Sequence, residues 1–373
     1  MLSPAAGAAA ESGAGPMIPE QVTDRQGLTW TLTRAWPSAD GSVTFEAASP
    51  QSPHVRGGRL TDADGVTLAP VGSDARLPEL AGYAATGTVV VHRPGRRAVV
   101  RTNDGSRFIK VVRPGRAESV LDAAGRADEF ARAFRVPAVL ADTGGSVHFA
   151  ALRGRTVHDL GADRSLAPPA WAGLWAEWAT AWTAVIGAAP AAASVNASAA
   201  RNNPSRFHSA EAEVDVVQTW TGHAQRLLGP GAAATQLTET AERVSALLTD
   251  TAADPLVSTH RDLHDKQLLW HPRDGLSLLD LDTATRGEAA LDLGNMAAHV
   301  LLRQRQGLWS AATAGTAEAA VRHTAARLGV NPERLHAYEM AARFRITCVY
   351  AYRPRWAALA GRLQSELRHQ LCR

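Results

Sequence analysis

Apolar and polar positions change rhythm along this chain, and the change divides it. In Thr29-Trp30-Thr31-Leu32-Thr33 and Val43-Thr44-Phe45, bulky β-formers alternate with polar residues at period two, the spacing of half-buried strands. Turn residues follow at Arg56-Gly57-Gly58, Asp64-Gly65 and Pro70, so residues 28–86 are expected to form a small β-rich cap. A second strand set begins near Gly87, with strands expected at 88–92, 98–101 and 107–112. Arg93-Pro94-Gly95-Arg96 and Asn103-Asp104-Gly105 are the turns between them. Within Phe108-Ile109-Lys110-Val111-Val112, the lysine's neighbours Ile109 and Val111 face the other side, which leaves Lys110 alone on its own face. A helix is expected over 116–134, weakened in its middle by Gly125. A last strand over 146–152 ends at Arg153-Gly154-Arg155.

Beyond that point the period becomes helical. Trp171, Trp175, Trp178 and Trp182 recur at helix spacing with Leu174 and Val185 beside them, a stripe read as core rather than as a ligand-stacking surface. Residues 190–199 read as a loop of small residues, and helices are expected at 209–228, 234–250, 289–303, 309–328, 331–346 and 354–370. No internal repeat is present. The order of elements predicts an α+β protein in which a β-rich lobe (87–153) precedes a helical lobe (154–373).

Composition narrows the class. The 373 residues, 45% hydrophobic and 20% charged, suit an ordinary globular enzyme with room for one extra module. A formal charge of +3 over this length gives no nucleic-acid signature. The two cysteines, Cys348 and Cys372, imply no disulfide framework and fit a reducing compartment. Residues 1–27, poor in large apolar side chains, are expected as a disordered leader; no apolar run suits a signal peptide or a bilayer span. A cytoplasmic protein is the expectation.

The chemistry is concentrated in Thr259-His260-Arg261-Asp262-Leu263-His264-Asp265-Lys266-Gln267-Leu268-Leu269 and, soon after, Leu278-Leu279-Asp280-Leu281-Asp282. A turn at Pro272 and Asp274-Gly275 returns the chain, so a strand-turn-strand delivers Asp262, Gln267 and Asp280 to one cleft. An Asp, an amide five residues on and a second Asp suit phosphoryl transfer. One carboxylate orients and deprotonates a hydroxyl, and hard oxygens hold Mg²⁺ on a triphosphate.

This stretch resembles the catalytic loop of the aminoglycoside phosphotransferase and choline kinase superfamily, which reads His-x-Asp-x-x-x-x-Asn followed by an Ile-Asp metal motif. Gln267 in place of Asn, with His264, is closer to the maltokinase branch; Arg261 stands where the sugar kinases have Gly, and Asp280-Leu281-Asp282 where maltokinase has Asp-Phe-Glu. The resemblance implies a two-lobed, protein-kinase-like fold that uses ATP and Mg²⁺ to phosphorylate a hydroxyl of a small polar metabolite: a sugar, an amino sugar or an aminoglycoside-like antibiotic. It implies Lys110 as the lysine on the α- and β-phosphates and an acidic residue of the following helix as its partner, for which Glu129 fits better than Glu118. The Ala150 carbonyl and Leu152 amide would read adenine at the hinge. Asp262 is the expected base, with His260 bracing the loop; Gln267 and Asp280 are the expected Mg²⁺ ligands, and Asp282 is a further ligand or stands behind them. His264 faces the acceptor or buttresses Asp262, and the Asp of Asp292-Leu293 braces the catalytic loop. The acceptor would lie beside Asp262, near Tyr352, Arg353 and Trp356.

Two other classes compete. A catalytically weak, nucleotide-sensing pseudokinase would account for Gln267 and for the lack of an obvious Gly-rich phosphate loop. A metal hydrolase could be built from His260, Asp262, His264 and Asp280, since His-x-Asp-x-His can bind a transition metal. Arg261 restores the His-Arg-Asp triplet of protein kinases, but that reading is disfavoured by the lack of Asp-Phe-Gly, of Ala-Pro-Glu and of room for an activation loop between Asp280 and Asp292.

Overall fold

Period-two alternation becomes two separate five-stranded antiparallel sheets. The computed structural model describes residues 17–187 and 207–372. The first sheet is a meander of β1 (Gln21–Thr23), β2 (Thr29–Pro37), β3 (Val43–Ala48), β4 (Arg56–Thr61) and β5 (Gly65–Leu68). Trp30, Leu32, Ala35, Phe45 and Ala47 fill its buried side. The expected leader is thereby shortened from its C-terminal end. Val22 pairs with Trp30, and Asp24 ties down the turn by accepting from the Trp30 indole (2.9 Å) and from Arg56 (2.7 Å). Residues 1–16 and the expected loop at 190–199 lie outside the described residues.

A short helix, Leu80–Thr86, leads into the second sheet. Its strands are β6 (Gly87–Arg93), β7 (Arg97–Thr102), β8 (Arg107–Val112), β9 (Val139–Asp142) and β10 (Ser146–Ala150), in the order β6-β7-β8-β10-β9. Ile109 and Val111 of β8 pack with Leu77, Leu80, Val89 and Val100 on one side of this sheet. Lys110 leaves from the other. The helix expected over 116–134 is split: Ala117–Arg126 is α-helical and Ala127–Arg132 is a 3-10 turn. The break follows Gly125, and it directs Phe130 onto Trp182 at 5.8 Å between ring centroids.

The helical lobe closes around one continuous apolar core. The tryptophan stripe occupies its centre: Trp171, Trp175, Trp178 and Trp182 of the Pro168–Gly187 helix are at most 4% exposed. Trp171 also meets Trp309 edge-on at 5.2 Å, which joins that helix to the segment preceding the Ala311–Arg327 helix. Further helices run at Ala210–Leu228, Ala232–Asp250, Ala289–Arg305, Pro332–Ala351 and Ala357–Leu371. Two three-stranded sheets lie among them: β11 (Arg155–Thr156), β14 (Leu268–His271) and β15 (Gly275–Leu278), and β12 (Phe207–His208), β13 (Leu256–Thr259) and β16 (Thr285–Glu288). β13 enters the loop 260–267 and β14 leaves it, so a strand is pinned at each end of that loop. No described helix is long and apolar enough to cross a membrane.

The N-terminal sheet touches both lobes. Glu46 of β3 accepts from the His92 amide of β6 (2.7 Å), and Asp74 accepts from the Gly95 amide (2.6 Å). On the other side Tyr352, with its hydroxyl on the His223 carbonyl (2.7 Å), sits inside the hydrophobic cluster of the cap. The cap therefore buries apolar surface that the helical lobe supplies.

The core reading of the stripe sets a stability expectation. Trp178→Ala should cost about 3–5 kcal/mol in urea unfolding. Leu140→Ala, at a site 49% exposed, should stay within about 0.5 kcal/mol. Equal effects of the two substitutions would contradict a packed tryptophan core.

Candidate active site

The loop after β13 is held by backbone contacts to buried side chains. Asp292, 1% exposed at the start of the Ala289–Arg305 helix, accepts from the His260 amide (2.7 Å) and the Arg261 amide (2.8 Å). Burial pushes its carboxyl up to about 7, against those amide bonds. His260, fully buried, donates Nε2–H to the Leu279 carbonyl (2.8 Å) and accepts at Nδ1 from the Asp262 amide (3.3 Å). Both ring nitrogens are thus used inside the loop. Asn295 donates to the Leu263 carbonyl (2.9 Å), and the Leu279 amide donates to the Gln267 carbonyl (2.8 Å). Among the described residues, Arg261 and Asp280 are the non-glycine residues at positive φ, 69° and 53°, one on each flank of the site. Left-handed backbone costs an L-residue roughly 1–2 kcal/mol, so the surrounding contacts hold this geometry against local preference. A glycine at position 261 would adopt it freely.

These contacts aim Asp262, Gln267, Asp280 and Asp282 into a cleft of about 710 Å³ between the β-rich and helical lobes. Lys110 reaches across from β8 and pairs with Asp280 (3.1 Å) and with Asp282. Arg97 of β7 lies 3.5 Å from each of the same carboxylates. Burial acts to raise the Asp280 carboxyl, but Lys110 and then Arg97 hold it well below the usual carboxylate range. Asp262 is more open, its side chain 42% exposed, with His264 Nε2 at 3.9 Å and Arg345 at 4.0 Å. Gln267 lines the same cleft. On the β-rich side Val99, Val120, Val136, Phe149, Ala150 and Leu152 form an apolar slot. The Leu152 amide has no backbone acceptor among the described residues.

A buried cluster behind the loop is not visible in the sequence motif. Asp265, 0% exposed, accepts a bidentate pair of bonds from Arg303 (2.7 and 3.0 Å), which also donates to the Tyr350 hydroxyl (3.1 Å). Burial opposes the Asp265 charge, yet Arg303 keeps the carboxyl far below its usual value. His299 stacks on His264 at 4.5 Å, and burial, with the His264 and Arg303 charges behind it, holds its pKa well below the usual histidine value. Helix periodicity in 289–303 could have placed His299 and Arg303 on one face at i, i+4, but nothing in the spacing points that face at position 265.

Among the sequence-predicted residues the structure brings Lys110, Ala150, Leu152, Asp262, Gln267, Asp280 and Asp282 to one cleft. His260 stands directly behind it. Glu129 is placed elsewhere: it is exposed on the 3-10 turn, no ion pair joins it to Lys110 among the described residues, and Asp280 and Asp282 meet that lysine instead. The reason is local, since burying Phe130 in the core turns the adjoining Asp128 and Glu129 to solvent. Of the three acceptor-side residues, Arg353 lines the cleft, whereas Tyr352 is buried against the cap and Trp356 packs beside Tyr350 and Leu359.

The hydrolase arrangement does not assemble. Both nitrogens of His260 are occupied, which leaves no lone pair for a metal. His264, Asp265 and His299 do offer ligand atoms within 4.8 Å of one another, but both oxygens of Asp265 already face the Arg303 guanidinium. A cation there would displace or oppose that charge.

The profile of the phosphotransferase enzyme family matches residues 94–338, two thirds of the chain, and the protein belongs to that family. No curated protein matches it. Solved structures with a similar backbone include the aminoglycoside phosphotransferase APH(3'')-Id of Streptomyces rimosus, at 18% identity and TM-score 0.46 over 73% of this chain and 96% of that one. The gentamicin complex of APH(2")-IIa shows 13% identity and TM-score 0.48 over 80% and 97%. A choline/ethanolamine kinase family protein of Mesorhizobium loti shows 14% identity and TM-score 0.44 over 80% and 90%. The assignment to the family rests on the profile match.

Histidine burial gives a pH expectation. His299 stays neutral in the folded protein while its unfolded form takes a proton below about 6.5, so the unfolded state binds more protons and stability falls as pH falls through that value. His299→Gln should make the plot of unfolding free energy against pH less steep between pH 7 and 5, by up to about 1.4 kcal/mol per pH unit. Superimposable slopes for the two proteins would contradict a neutral, buried His299.

Proposed function

We propose that this protein is an ATP-dependent phosphotransferase that phosphorylates a hydroxyl of a small polar molecule. The observation that carries this is the meeting, in one cleft, of a cationic strand residue, a pair of carboxylates and a third, more open carboxylate. Lys110 and Arg97 present positive charge where phosphates would lie, and a lysine there acts as a compact point charge. The apolar slot beside Ala150 and Leu152 accepts a flat heterocycle, with the Ala150 carbonyl as acceptor and the Leu152 amide as donor.

Asp262 orients the acceptor hydroxyl and takes its proton as the new O–P bond to the γ-phosphorus forms and the β,γ-bridging P–O bond breaks. The products are ADP and the phosphate ester. Arg345, 4.0 Å away, faces the Asp262 carboxylate and helps to keep it in place. His260, with both nitrogens engaged, braces the loop and transfers no proton. Gln267, Asp280 and Asp282 would hold Mg²⁺. An amide oxygen and two carboxylates are hard donors suited to it, and the carboxylates are now balanced only by Lys110 and Arg97. When bound, the ion neutralises charge on the phosphate oxygens.

The pseudokinase alternative is disfavoured by Asp262, which has no structural duty on its exposed side chain and faces open cleft. Asp262→Ala should lower kcat in a coupled ADP-release assay by roughly 100- to 10,000-fold, with KM for Mg·ATP changed only slightly. Wild-type turnover in that variant would remove the base. Asp280→Ala should raise the Mg²⁺ concentration needed for half-maximal rate at least tenfold; an unchanged Mg²⁺ dependence would remove Asp280 from the metal site.

A further inference from the structure

Resting on that reading, we infer that the acceptor is an anionic hydroxyl compound, bearing a carboxylate or phosphate group, and that the N-terminal cap supplies part of its site. The cleft is lined by eight Lys and Arg side chains and by three carboxylates, Asp262, Asp280 and Asp282. Lys110 and Arg97 are satisfied by Asp280 and Asp282, and Arg303 by Asp265. Of the remaining five, Arg93 lies over the Trp36 ring at 5.2 Å, and the other four form a cationic arc beside Asp262: Arg34 from β2 of the cap, Lys266 from the loop 260–267, and Arg345 and Arg353 from the last part of the helical lobe.

This arc holds more charge than its surroundings answer. Lys266 and Arg353 have no carboxylate partner among the described residues. Arg353 lies over the Tyr350 ring at 5.0 Å, and its buried Nε has no hydrogen-bond acceptor there. Arg34 meets Glu46 only at 3.7 Å with its side chain 38% exposed, and Arg345, which donates to Asn295 Oδ1 (2.7 Å), meets its nearest carboxylate, Asp262, only at 4.0 Å. Burial holds the Arg353 guanidinium below its usual pKa; Arg34 and Arg303 push the same way, while Tyr350 and Glu46 oppose. Like charges crowded in a cleft repel one another, and an anion between them removes both the repulsion and the unmet donor. A polycationic acceptor would meet the reverse, four positive side chains against the one carboxylate that must also act as base.

The test is thermal unfolding with and without the non-hydrolysable nucleotide Mg·AMPPNP, in each case with and without millimolar D-glucuronate, glucose 6-phosphate, glucose, glucosamine or streptomycin. At least one of the two anions should raise Tm beyond the nucleotide alone, and which of them gives the larger shift separates carboxylate from phosphate recognition. Apparent affinity for the effective anion should fall about tenfold or more in Arg34→Gln and in Arg353→Gln while the nucleotide shift persists. Lys266→Gln, on an exposed residue, serves if either arginine variant fails to fold. Stabilisation by glucosamine or streptomycin but by neither anion would overturn the inference. So would a nucleotide shift with no anion response, or an anion response that the three variants leave intact. Loss of the nucleotide shift in the wild type would count against the phosphotransferase reading instead, and the nucleotide-free arms still decide the anion question.

Discussion

The architecture depends on one cross-lobe ion pair. Lys110 is 8% exposed on a strand, and a buried ammonium without a counter-charge is costly enough that a protein must either pair it or lose the proton. Its carboxylates come from the other lobe, after β15, and their loop is itself set by Asp292, His260 and the Leu279 carbonyl. Two separately packed sheets and a tryptophan-filled helical core thus converge on a few ångströms of polar space. Asp280 accepts left-handed backbone to reach that place, which fits a residue positioned for chemistry rather than for local comfort.

Rigidity is graded around this pair. The loop is fixed from behind by fully buried groups, Asp292, Asn295 and the Asp265–Arg303 pair, whereas Asp262 at its tip is open. A fixed backbone with one free carboxylate suits a reaction in which the protein's chief contributions are placement and charge. The cap adds a second constraint. By burying Tyr352 and pinning His92, it spans the two lobes and brings Arg34 to the rim of the cleft.

Much of this was legible in the residues alone. The strand pattern located β2 and β3 of the first sheet and β6, β7, β8 and β10 of the second, and helix spacing identified the tryptophan stripe, because those patterns are local and burial follows them directly. That Asp262, Gln267 and Asp280 share a cleft was legible because they are close in sequence and a tight turn joins the strands between them. What escaped was non-local. Glu129 looked suitable by its distance from Lys110, but a break after Gly125 rotated the segment, and Phe130 took the inward face. Asp265 and Arg303 lie 38 residues apart and meet only because a helix crosses behind the loop. The strand at Gln21–Thr23 was hidden in a polar stretch, since an edge strand needs few apolar residues once a neighbour offers its backbone.

The most direct measurement is a calorimetric titration of Mg·AMPPNP into the wild type and into Lys110→Met. One nucleotide should bind per wild-type chain, with affinity at least tenfold weaker in the variant, because the methionine keeps the stem and removes the charge. Equal affinity in the two proteins, or no binding to the wild type, would contradict a nucleotide cleft organised around Lys110.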